Sequence, residues 1–179
     1  MAEDGATNQS ALSKTAVVRR ASLELDLSST GEAVAKAVSS IVQLLPYPVD
    51  SAEAKRLELA LDEAVRNAYE HGNLGISSEE KEALITQDTF EEELHRREQE
   101  AMLQGKRIRV FVEVDETELR CRIQDDGEGF DWNAMSVELS TAEISPTAVR
   151  GRGLPLIFQL FDTVSYNEKG NELRVSKRL

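Results

Sequence analysis

Cysteine is nearly absent from this chain: Cys121 is the only one in 179 residues. A single thiol excludes an internal disulfide and any cysteine-rich metal site, and it fits a reducing compartment. Aromatic side chains make up only 5% of the sequence, so a core has to be built from Leu, Ile, Val and Ala. Cationic side chains are outnumbered, 21 against 33 acidic ones, leaving a formal net charge of -12. Such a surface repels phosphate backbones and argues against direct nucleic-acid binding. Solubility alone explains many acidic chains equally well. No apolar run approaches the ~18 residues of a membrane helix. The polar first fourteen residues lack the apolar stretch of a signal peptide. The expectation is a soluble, cytoplasmic protein that does not enter membranes.

What is present divides into a short tail, residues 1–14, and one domain, residues 15–179. A partly alternating pattern over 16–27, with Leu23, Leu25 and Leu27, reads as a strand. Ser28, Ser29 and Thr30 offer caps for a helix over 32–45, where Val34, Val38, Ile41 and Val42 recur at helical spacing and Pro46 stops the run. Asp50 with Glu53 reads as a capping-box-like start for a second helix, reaching about His71 and ending at Gly72. Residues 75–106 are an acidic stretch rich in good helix formers, opened by Ser77 with Glu80. They predict one long or two broken helices, either a solvated face or a partner-binding arm. Period two then takes over: Ile108, Val110, Val112 and Val114, a turn, and Leu119, Cys121 and Ile123. Residues 131–150 read as a long loop, 153–161 as a short apolar helix, and 164–177 as a hairpin about Gly170 and Asn171. Strand, helices, then hairpins predict an α+β sandwich, one mixed sheet covered on one face by helices.

Three motifs bear on chemistry. In the second helix, Glu63 and Asn67 lie four apart and share a face beside Ala60, Ala64 and Ala68. An acid and an amide so placed could hold a metal ion against a phosphate, or form an ordinary surface pair. Directly after a strand comes Asp125-Asp126-Gly127-Glu128-Gly129. A carboxylate there can accept from an exocyclic amine while the glycines admit a flat ligand; a plain Asp-Gly turn looks the same in isolation. Third, Arg150-Gly151-Arg152-Gly153-Leu154 opens the short apolar helix. Free N–H groups and the positive end of the dipole favour phosphate there. The lysine of a phosphate-binding P-loop and the third glycine of a dinucleotide fingerprint are both missing.

Taken in this order, the motifs resemble the asparagine box and two glycine boxes of the Bergerat ATP-binding fold, shared by gyrase and the histidine kinases. The helix pattern Glu63, Asn67, Ala68, His71 is similar to that of the small serine/threonine kinases that act as bacterial anti-sigma factors. The resemblance spans about 23–179. It implies a two-layer Bergerat sandwich binding ATP with Mg2+, with Asn67 as the magnesium ligand and Glu63 as general base. It implies Asp125 at the adenine amine, Gly127 and Gly129 shaping the base pocket, and Gly151 and Gly153 at the phosphates, with Leu154 closing that motif. Residues 131–150 would be the ATP lid. Arg150 and Arg152 are added here as phosphate contacts. Implied partners are a STAS-type antagonist, a sigma factor and a second copy in a homodimer. Pro155 departs from the family pattern, where a further glycine is common, and the insert at 75–106 exceeds what a minimal kinase needs. The insert is similar to a segment of ATPase modules attached to response regulators and phosphatases. An ATP-gated partner switch without phosphoryl transfer is therefore a second reading. A detached histidine-kinase catalytic domain is a third, and the short stretch before the domain weighs against a self-contained version.

The single residues read as structural. Cys121 alternates with core positions and reads as a buried thiol. His71 reads as closing its helix end and His95 as exposed.

Overall fold

The computed structural model describes residues 20–132 and 153–179. Five strands form one sheet, in the order β1-β2-β3-β5-β4. They are β1 (Arg20–Ser28), β2 (Arg107–Asp115), β3 (Glu118–Asp125), β4 (Thr163–Tyr166) and β5 (Glu172–Arg178). The α+β sandwich is as expected, but all four pairings are antiparallel rather than mixed. The residues expected in strand at 16–19, the tail at 1–14, and the lid at 131–150 beyond Trp132 lie outside the described residues.

Alternation decides the two faces of the sheet. Ile108, Val110, Val112 and Val114 on β2, Leu119, Cys121 and Ile123 on β3, and Leu173 and Val175 on β5 are all buried. Arg109, Arg120, Arg122 and Arg174 point to the opposite face and are exposed. Burial also pushes the Cys121 thiol up to about 12, the behaviour of a core side chain rather than a nucleophile.

Helix α1 (Gly31–Val42) starts where Thr30 Oγ1 accepts the Ala33 N–H. It buries Val34, Ala37, Val38, Ile41 and Val42. Helix α2 (Ala52–Asn67) is capped by Ser51, whose Oγ accepts the Ala54 N–H at 3.1 Å, not by Asp50. Extended backbone at Ser51 aims its hydroxyl into the first turn, the geometry a cap requires. Ala54, Leu57, Ala60, Leu61, Ala64 and Val65 face the core. Instead of ending at Gly72, the helix widens into a π-helical turn, Ala68–Asn73. The Leu74 N–H reaches back to the Tyr69 carbonyl.

The insert forms two helices, α3 (Ser78–Thr86) and α4 (Phe90–Leu103), broken at Asp88, where φ is +58°. Ser77 caps α3 through the Glu80 N–H. The insert is docked, not merely solvated. Glu98 Oε1 accepts from the Tyr69 hydroxyl at 2.6 Å and from the Gly31 N–H at 2.8 Å. Arg97 donates to the Leu74 carbonyl at 3.0 Å, and Lys81 pairs with Glu70, which is only 4% exposed. Helix α5 (Gly153–Leu160) packs against α2. Among the described residues, no helix is long and apolar enough to cross a membrane.

Candidate nucleotide-binding site

The strand register builds the site. Inward positions on β3 run Leu119, Cys121, Ile123, and the next is Asp125, paired opposite Ile108. Parity therefore puts a carboxylate on the helix-covered face at the strand's end, 8% exposed. Its Oδ1 accepts the Gly127 N–H at 2.8 Å. Burial raises its pKa from 3.8 to about 6, opposed by that N–H and by the charge of Lys169. Asp126 turns the other way and is spent on structure. It accepts from the Arg107 N–H at 2.9 Å and from the Arg109 guanidinium at 2.9 Å.

The π turn brings the first motif to the second. A β-carbon on Gly72 would overlap Asp125 Cγ and lie 2.6 and 2.7 Å from the two carboxylate oxygens. A β-carbon on Gly127 would overlap the Gly72 carbonyl. Glycine at both positions is what lets the helix end, the carboxylate and the loop close on one another. Gly129 has φ +78° and seats against the Lys169 carbonyl, while Lys169 Nζ donates to the Gly127 carbonyl at 2.8 Å. The turn after β4 thus supports the glycine loop that follows β3.

Glu63 and Asn67 lie one turn apart at the end of α2, both half-buried. Because α5 packs on α2, the helix opened by the third motif stands beside the one carrying Asn67. Gly153 begins α5, and Leu154 is partly buried against the core. Arg150, Gly151 and Arg152 lie outside the described residues. Among the described residues, no three His, Cys, Asp or Glu side chains cluster into a metal cage. A metal held at Asn67 would therefore need oxygens from elsewhere, as phosphate and water supply for magnesium.

Sequence reading overlooked several residues that shape this region. Gly72 looked like a helix stop and Asn171 like a turn residue, while Asn73 and Lys169 drew no reading of their own. Trp132, the single tryptophan, suggested in sequence no more than an anchor for the loop that follows it. It stacks on Phe158, with ring centroids 5.7 Å apart and planes 7° from parallel, and sits 4.9 Å from Tyr166. Phe130 meets Tyr166 edge-on. Four aromatic rings, in a chain with few of them, thereby pin the segment after β3 to α5 and β4. Burial and the nearby Asp125 charge both raise the Tyr166 pKa. His71 is exposed and its Nδ1 meets the Ile76 carbonyl, closing the turn as expected.

A profile of the histidine kinase-like ATPase domain matches residues 27–177, and the chain belongs to that family. Comparison with curated proteins gives no match. The family is one of ATP-binding domains, so a buried carboxylate walled by glycines has a ligand class to serve.

Proposed function

We propose that this chain is an ATP- and magnesium-dependent protein serine/threonine kinase of the anti-sigma-factor type, phosphorylating a STAS-domain antagonist and sequestering a sigma factor. The observation that carries the reading is the contact of Gly72 with Asp125, which joins the helix of Glu63 and Asn67 to a base-recognising carboxylate. The helix pattern Glu63, Asn67, Ala68, His71 supports the serine kinase branch over other branches of the family.

In this reading Asp125 accepts from the adenine amine, with Gly127 and Gly129 giving the base room. Asn67 holds magnesium through its amide oxygen. Gly151 and Gly153 offer backbone N–H groups to the phosphates, joined by Arg150 and Arg152. Bound magnesium supplies charge neutralisation across the phosphates. Glu63 takes the proton of the attacking serine hydroxyl as its oxygen bonds to the γ-phosphorus and ADP leaves. The protein's contribution is chiefly positioning and fixed dipoles.

A second reading, an ATP-gated partner switch without transfer, draws on the insert. Glu98, Arg97 and Lys81 tie it to the π turn following Asn67, so a partner surface there would be mechanically joined to the ATP helix.

Incubation with radiolabelled ATP, magnesium and STAS domains from the same genome tests these readings. Acid-stable label on serine supports the kinase. Nucleotide-dependent complexes without label support the switch. Acid-labile label on histidine supports a detached histidine-kinase domain and removes both.

A further inference from the structure

Asn73 ends the π turn, is 2% exposed, and has no part in the chemistry above. Its Nδ2 donates to Ser29 Oγ at 2.8 Å and to the Arg107 carbonyl at 3.0 Å. Its Oδ1 accepts the Asp126 N–H at 2.8 Å. Ser29 commits its own proton to the Lys106 carbonyl, so it must accept from Asn73, and the amide's orientation follows.

The Asp126 N–H belongs to the peptide that joins Asp125 to Asp126. The other end of that peptide, the Asp125 carbonyl, accepts from Asn171 Nδ2 at 2.8 Å. Asn171 is also buried, and its carbonyl accepts the Asp125 N–H at 3.0 Å. One rigid peptide plane is therefore gripped at its N–H by one buried asparagine and at its C=O by another. The two come from distant parts of the chain, the π turn and the residue just before β5. A plane held at both ends fixes the backbone on the carboxyl side of the Asp125 Cα, and with it the direction of the side chain.

We propose that Asn73 and Asn171 are a pair of positioning residues that clamp the 125–126 peptide and so aim the Asp125 carboxylate at the nucleobase. The inference rests on the reading of Asp125 as the adenine acceptor. A merely structural amide would serve stability alone; a clamp serves discrimination between bases. Inosine triphosphate carries a carbonyl where ATP carries the exocyclic amine, so the ratio of the two affinities reports how well the carboxylate is aimed.

The test is calorimetry of the full chain with the magnesium complexes of ATP and inosine triphosphate, alongside thermal unfolding. The parent should prefer ATP. Asn73→Ala and Asn171→Ala should each lose about tenfold of that preference, the scale of one well-placed contact. Ser29→Ala removes a partner of Asn73 without touching the clamped peptide, so it should lower the melting temperature and keep the preference. If Asn73→Ala does not fold, Asn171→Ala and the milder Asn171→Ser carry the test from the other end of the same peptide. Equal weakening of both nucleotides, or an unchanged ratio, overturns the clamp while leaving the Asp125 reading intact. A parent without preference removes the Asp125 reading, and the clamp with it.

Discussion

Gly72 and Asp125 are 53 positions apart in sequence, yet a single β-carbon at Gly72 would fall 2.6 Å from Asp125 Oδ1. The end of the asparagine helix and the end of β3 therefore share one volume.

Gly72→Ala should cost about 1–3 kcal/mol by overpacking. It should also weaken ATP, because Asp125 is the group that must move. The double variant Gly72→Ala/Asp125→Ala should be more stable than the two single effects added together, since the overlap is relieved. Urea denaturation of the four proteins measures this; strict additivity would place the strain elsewhere.

Asp125 also sets a pH dependence. Its folded pKa of about 6 lies above the ordinary 3.8, so the native chain holds a proton that the unfolded chain releases between those values. The stability linked to that proton is fully present below about 4 and is lost as pH rises through about 6. If Asp125 reads the base, recognition runs the opposite way: the ionised carboxylate is the stronger acceptor from the adenine amine, whereas the protonated acid carries an O–H that can donate to the inosine carbonyl instead. The ratio of ATP to inosine triphosphate affinity should rise through about pH 6, and the ratio cancels phosphate titration common to both ligands. Asp125→Asn should flatten both profiles. A parent ratio constant from pH 5 to 8 would exclude Asp125 from the base.

Asn67→Ala should abolish the part of ATP affinity that depends on magnesium and spare the remainder. Calorimetry with magnesium and with a chelator decides it. Equal metal dependence in variant and parent sinks the assignment.

Glu63→Gln keeps size and loses the ability to take a proton. Nucleotide affinity should stay near the parental value while phosphoryl transfer falls by about 10²–10⁴-fold. Unchanged transfer would make Glu63 a structural residue. Lost ATP affinity would assign it to ordering the metal site.

What was legible in the sequence was whatever local periodicity encodes. The alternation through Val114 and Cys121 located both strands of the first hairpin, and the spacing of Val34, Val38 and Ile41 located α1. Each of the three motifs could be picked out because it is a short run; the structure brings Gly72, Asp125 and Gly127 together, while Arg150, Gly151 and Arg152 lie outside the described residues. Strand order was not, since nothing local tells β3 to lie between β2 and β5, so the antiparallel sheet passed for a mixed one. The docking of the insert was hidden for a different reason. Glu98 and Arg97 lie in a helix crowded with charged residues, where two that face inward look like the rest. Asn171 read as a turn former and Asn73 drew no reading, because the partners of both are supplied by distant chain.

The π turn makes length, more than composition, the constrained quantity at 68–73. An α-helix advances about 100° per residue, so removing one residue there would let α2 run on regularly and swing Gly72 and Asn73 off the side facing β3. The exposed His71 could be exchanged with little consequence to that phase. A one-residue deletion beside it would part the helix from the carboxylate even though every named side chain was still encoded.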